Sequence, residues 1–253
     1  MTKCKTYKPR LYREGMGNSR WKSFRVCHLE TDLWIAVRGD NYTFEAENYS
    51  MDRVLFYRNA LNRHIKESPD FLTSLTPLPE KSDNHPLIHD MYRASETAET
   101  GPMSAVAGAV AEYICKDLLT RFRFPEVVVE NGGDIFMNLI HPATISIQAG
   151  SSPLSGKIGL VVKPEQTPLS ICCSSGTEGH SLSFGKADAF VVASHSGSLA
   201  DALATAGCNE VKSSEMVDRV TEQMLKRPEV VSVVIIKDDR VGIGGKIEIT
   251  VLN

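Results

Sequence analysis

Asp201 and Thr205 stand four residues apart in the segment Gly197-Ser-Leu-Ala-Asp-Ala-Leu-Ala-Thr-Ala-Gly207. On a helix that interval brings both side-chain oxygens onto one face. Two hard oxygen ligands so placed suit a divalent cation. Magnesium in particular takes one or two carboxylates and completes its shell with substrate phosphates and water. The segment also admits a plainer reading, because Ser198-Leu-Ala-Asp201 has the form of a capping box, which needs no ligand. Thr205 sits oddly in that picture: it is β-branched and of modest helix propensity, amid alanines (Ala202, Ala204, Ala206) too small to fill a core. Such a helix is either pressed against another backbone or leaves room for a ligand.

Two upstream stretches supply polar groups of other kinds. Asn131-Gly132-Gly133-Asp134 follows the β-branched run Val127-Val-Val129, so it falls at a strand end, where the glycines permit positive φ and close backbone approach. A hairpin turn and a ligand-binding turn are both open there, and the two are compatible. Ser174-Ser175-Gly176-Thr177-Glu-Gly-His180 combines hydroxyls, a glycine and one imidazole. Ser beside His could be a nucleophile and its base, but no third orienting group lies nearby, and a polar loop is the commoner explanation. Cys172-Cys173, just before it, reads as a strand end, since no basic neighbour lowers either thiol pKa.

The elements that must position these groups follow from periodicity. Residues 23–28 and 33–37 alternate as strands, with Gly39-Asp-Asn41 as a turn. Residues 51–65 and 86–98 carry helical spacing, separated by the Pro-rich link at 76–79. Gly101-Pro102 opens a third helix through residue 118, whose first turns are almost all small and must therefore be approached closely by a backbone or a ligand. Strands are expected over 127–130, 135–139, 144–148, 157–162, 169–173 and 189–193, then helices over 198–207 and 213–225. Strands over 230–237 and 246–251 close the chain through a Gly-rich turn. Runs of strands with clustered helices indicate an α+β fold.

Taken in order and at this spacing, the three polar stretches resemble the ApbE family, flavin transferases that move FMN from FAD onto a protein threonine with magnesium. The family's late signature A-D-A-x-x-T stands here as Ala200-Asp201-Ala202-Leu203-Ala204-Thr205. The resemblance implies an ApbE-like α+β fold of mixed and antiparallel sheets with clustered helices, two interlocked halves in one domain over 1–253. Within it, 1–100 is divergent and 101–253 bears the motifs. It further implies that Asp201 and Thr205 bind Mg2+, and that Asn131, Gly132, Gly133, Asp134, Ser175, Gly176, Thr177 and Gly108 surround a flavin nucleotide (FAD or FMN). His180 and Asp201 would be catalytic, His180 by binding phosphate or moving a proton. Where the family carries a G-A-x-A-K-G helix, this chain reads Ser104-Ala-Val-Ala107-Gly108, so Ala107 falls at the lysine's place. Two functions follow: an FMN transferase acting on an acceptor protein, or a non-catalytic flavin or nucleotide binder that keeps the frame without the chemistry.

Bulk composition narrows the setting. The chain has 253 residues, of which 42% are hydrophobic and 23% charged, as in ordinary globular proteins. It has no apolar run of membrane-spanning length and no signal-peptide core, so a cytoplasmic protein without a membrane partner is expected. Six cysteines without a C-x-x-C pair argue against zinc and, in a reducing compartment, against a disulfide framework. Residues 1–25 hold eight Lys or Arg against the single acid Glu14, within a net charge of −3. That arm could grip phosphates or nucleic acid, but it is expected to be a solvated segment leading into an edge strand. No RNA-binding signature is present, so nucleic acid is not an expected partner. A homodimer is left open.

Overall fold

The computed structural model describes residues 10–16, 19–80, 85–177 and 184–252. A short 3-10 helix, Leu11–Gly15, precedes β1 (Trp21–His28), β2 (Thr31–Arg38), α1 (Phe44–Glu67), α2 (Asp70–Thr73), α3 (Pro86–Ala98) and α4 (Val106–Phe122). Then come β3 (Val127–Asn131), β4 (Asp134–Asn138), β5 (Ala143–Ser146), β6 (Ile158–Val162), β7 (Leu169–Ser174), β8 (Ala189–Ser194), α5 (Gly197–Glu210), α6 (Val217–Leu225), β9 (Ser232–Lys237), β10 (Arg240–Gly245) and β11 (Glu248–Val251). Eight strands pair in the order β1-β2-β3-β4-β7-β8-β9-β10, and β11-β6-β5 form a second sheet. All pairings are antiparallel. The α+β expectation holds.

Central strands are buried on both faces, which explains why their sequences run apolar without alternation. On one face Val127, Val129, Phe136, Cys172, Phe190, Val192 and Ile235 meet the helices. On the other Val128, Ile135, Met137, Ile171, Val191 and Ile236 pack against Leu160, Val162 and Ile147 of the small-sheet layer. Asn131 and Asp134 fall on the helix-facing side by the same alternation, since they are two residues from Val129 and Phe136 respectively.

Several boundaries move from those the periodicity gives. α1 begins at Phe44 because Thr43 caps it, its hydroxyl accepting from the Ala46 amide at 3.2 Å. Residues 240–245, expected as a Gly-rich turn, form the edge strand β10. Its glycines serve helix packing: a Cβ on Gly242 would lie 2.1 Å from the Thr221 hydroxyl, and one on Gly244 would lie 2.3 Å from Leu225. α6 therefore rests directly on the β10 backbone. Cys27 is disulfide-bonded. This corrects the expectation of six reduced thiols; linear spacing carries no information about which distant cysteines meet. Cys115, Cys172, Cys173 and Cys208 are free.

The small residues of α4 answer to a backbone, not to open space. α4 and α5 cross where Gly108 meets Gly197: a Cβ on Gly108 would lie 2.1 Å from the Gly197 carbonyl oxygen, and one on Gly197 would lie 2.4 Å from the Gly108 carbonyl oxygen. Ala200, Ala202, Ala204 and Gly207 carry the same tight fit into α3 and the sheet, with Gly207 lying on the Phe190 ring. Gly108→Ala is accordingly expected to cost about 1–3 kcal/mol by forcing the helices apart. Urea denaturation of the variant measures this, and an unchanged midpoint would refute the crossing.

Candidate functional site

α4 follows directly on a 3-10 turn over Pro102–Ala105, and its N-cap residue, Ala105, has no side chain to cap the first amides. A carboxylate from another helix takes them: Asp201 Oδ2 accepts from the N–H of Ala107 at 3.0 Å and of Gly108 at 2.9 Å. The capping-box reading of Ser198 and Asp201 is thereby corrected. The N-cap of α5 is Ser196, whose hydroxyl accepts from the Leu199 amide, so Asp201 is free to reach across to α4. The other oxygen, Oδ1, has no hydrogen-bond partner among the described residues. Thr205 lies one turn further along the same face of α5.

The turn between β3 and β4 is a two-residue hairpin with Gly132 at φ +74° and Gly133 at φ +109°, backbone that L side chains rarely adopt. Glu130, almost wholly buried, braces it by accepting from the Gly133 amide at 2.8 Å. Asn131 Nδ2 donates to the Ala107 carbonyl at 3.1 Å. Asp134 Oδ1 accepts from the Cys173 amide at 3.0 Å. One residue along β7, the Ser174 hydroxyl is buried with no partner. The hairpin, β7 and the N-terminus of α4 are thus tied together through Ala107, whose amide belongs to Asp201 and whose carbonyl belongs to Asn131.

Asp134 is close enough for its charge to be felt at Asp201. Burial, then the Asp134 charge, raises the Asp201 pKa well above the carboxylate range against the pull of two amides. Burial also raises Asp134, and the Glu130 charge adds to it. Two like charges held in one buried place are what a cation relieves. The thiols beside them are no nucleophiles: burial and Asp134 push Cys173 up to about 12 and Cys172 well above its ordinary range.

A cleft of about 1060 Å³ opens against this corner. Asn131, Gly132, Asp134 and Thr177 line it, with Ala107 beside them. Its apolar wall is made by Leu61, Ile65, Leu72, Leu87, Met103, Val106 and Val110. The other expected residues stand elsewhere. Gly108 is spent on the helix crossing, Asp201 meets the cleft wall only through the Ala107 amide, and Thr205 is not among the cleft's lining residues. Gly176 donates its amide to the Ala187 carbonyl, and a Cβ there would lie 2.1 Å from the Gly185 carbonyl oxygen. Ser175 Oγ stands 3.4 Å from the Thr177 hydroxyl, which donates to Asp188 at 3.0 Å. His180 lies outside the described residues. Among those described, no three His, Cys, Asp or Glu side chains cluster as a metal-ligating group.

Sequence reasoning missed Arg10, Tyr12, Tyr57 and Arg58, all of which line the cleft. The expectation of a solvated basic arm is corrected for its described part. Arg13 pairs with Asp32 at 3.0 Å and with Glu130 at 2.5 Å, and Arg10 Nη1 donates to the Asp32 carbonyl at 2.7 Å. Their side chains are only 11% and 18% exposed. The excess of base in residues 1–25 was the available signal; its acidic partners lie distant in sequence.

A sequence model of the family described as AbpE bacteria matches residues 13–234. A UPF0280 protein of Methanocaldococcus jannaschii is 35% identical over 232 residues, 90% of this chain and 92% of that one. A UPF0280 protein of Methanopyrus kandleri is 35% identical over 235 residues, 88% of this chain and 90% of its own. Among solved structures, a mutant of the flavin transferase ApbE from Vibrio cholerae superposes with a TM-score of 0.58 at 12% identity, covering 88% of this chain and 96% of its own. The ApbE protein of Thermotoga maritima gives 0.52 at 14% identity, covering 90% and 96%. Both share the fold. No helix among the described residues is long and apolar enough to cross a membrane.

Proposed function

Because the chain belongs to the AbpE bacteria family, we propose that it binds FAD with magnesium in the cleft below α1 and transfers the FMN portion to a threonine of an acceptor protein. One observation carries the reading: Asp134 lines a cleft whose other wall is apolar, and Asp201, bonded to the amide of the cleft residue Ala107, feels the Asp134 charge. Asp201 Oδ1, Asp134 and the Thr205 hydroxyl are the oxygens that would hold the ion, with substrate phosphates completing its shell. When bound, magnesium would neutralise the pyrophosphate and stabilise charge on the departing phosphate. The flanking chain does the positioning. The two α4 amides fix the Asp201 carboxylate, Asn131 holds the Ala107 carbonyl in place, and Glu130 stiffens the glycine turn against which the nucleotide would lie. In the transfer, the acceptor hydroxyl would bond to the flavin-side phosphorus, the bridging P–O bond would break, and AMP would leave. His180 is proposed to take the hydroxyl proton or to bind phosphate.

The second reading is the non-catalytic binder, favoured by Ala107 at the place of the family's lysine. Titrating FAD into the protein with and without magnesium, followed by flavin fluorescence, tests the shared part, and chromatography of AMP separates the two. Magnesium-dependent FAD binding with AMP release is the expected result. Binding without AMP release in the presence of threonine-bearing acceptor peptides would leave the binder, and no flavin binding would remove both.

A further inference from the structure

The geometry points to Arg10 and Arg58 as a cation pair that grips the dinucleotide's pyrophosphate, doing from the β1–β2 side what a lysine at position 107 would do from α4. This rests on the flavin-nucleotide reading above. Both guanidiniums line the cleft, and consecutive residues of one turn hold them. Arg10 Nη1 donates to the Asp32 carbonyl, Arg58 Nη1 donates to the Thr31 hydroxyl at 2.8 Å, and Arg58 Nη2 pairs with Glu30 at 2.5 Å. Each arginine also keeps donors that the protein leaves unused. Arg58 Nη1 and Nη2 each keep a second N–H beyond their bonds to Thr31 and Glu30. Arg10 Nη2 makes no hydrogen bond among the described residues, and it faces the glycine hairpin, 3.3 Å from where a side chain on Gly132 would begin.

Spare guanidinium donors lining a cleft suit an anion, and a phosphate oxygen is the acceptor that fits a guanidinium best. Along α1 the spacing Arg58, Leu61, Ile65 puts the cation and the apolar wall on one helix face. A ligand lying along α1 would therefore meet charge at Arg58 and an aromatic-sized apolar surface beyond it, the order of phosphates and ring in a nucleotide. Gly132 is what lets Arg10 approach, since any side chain there would meet its guanidinium.

The test compares Arg10→Gln and Arg58→Gln with the parent protein, titrated with FAD, riboflavin and inorganic pyrophosphate in excess magnesium. Each variant should weaken FAD and pyrophosphate binding by about tenfold or more while riboflavin affinity stays within about twofold. Arg10→Lys and Arg58→Lys, which keep the charge and the fold but lose the fork, should fall between. Unchanged FAD affinity in both Gln variants overturns the clamp, as does parallel weakening of FAD and riboflavin, which would mean a packing role. Arginine-dependent pyrophosphate binding by a protein that binds no FAD would uphold the clamp and refute the flavin reading. A parent protein that binds none of the three overturns both.

Discussion

Asp201→Asn is expected to weaken the proposed magnesium-dependent nucleotide binding by about a hundredfold, while the protein melts no lower than its parent at pH 8. The asparagine carbonyl can still accept from the amides of Ala107 and Gly108, so the junction of α5 with α4 survives. What disappears is the charge. The Asp201 pKa is raised in the folded protein, so the unfolded chain gives up this proton at lower pH than the folded one. Between the ordinary carboxylate range and the raised value the folded state therefore binds more protons, and stability falls as pH rises. Asparagine removes that slope. The melting temperature of the variant without magnesium should thus match the parent's near pH 4 and exceed it at pH 8, and added magnesium should raise the parent's but not the variant's. A carboxylate that merely capped α4 would give the same melts without magnesium but leave nucleotide affinity untouched at saturating magnesium. Calorimetric melts across pH, paired with FAD titrations, decide between them.

How much of this could be read from the chain alone depended on distance along it. Hairpins and helices were legible where signals are local: the turn at Gly132 and Gly133 has the two positive φ values its glycines announced, and α3 opens at Pro86 as proline at a first helical position suggests. The Asp201–Thr205 face was legible because four residues on a helix fix a direction. The long-range partners were not. Nothing in residues 198–201 says that Asp201 serves the N-terminus of a helix ninety residues earlier, and the local capping pattern pointed to Ser198 instead of Ser196. The glycine at 108 looked like a place for a ligand because a small residue reports only that something comes near; the neighbour proved to be Gly197. Likewise β10 hid behind three glycines whose low strand propensity is outweighed by the close seat they give α6. Arg10 was invisible as a site residue because its partners, Asp32 and the Gly132 turn, are joined to it only by the fold.

Ala107→Lys is expected to raise the rate of the proposed cleavage of FAD to AMP, most steeply, by about a hundredfold, in a protein that also carries Arg10→Gln and Arg58→Gln. Position 107 can accept the longer side chain although position 108 cannot. Ala107 lines the cleft and is only partly buried, and its two hydrogen bonds, from its amide to Asp201 and to its carbonyl from Asn131, are made by backbone atoms that the substitution leaves alone. An ammonium there would enter the same cleft that the two arginines line. Where the arginines are present, the pyrophosphate already has cations and the lysine adds a smaller gain; where they are absent, it supplies the missing charge. The prediction therefore couples two sites that share no contact in the structure. Equal rate increases in the two backgrounds would mean that lysine and arginines act on different parts of the ligand. A fall in rate in both, with the fold intact by circular dichroism, would mean that the side chain blocks the cleft where the nucleotide must lie.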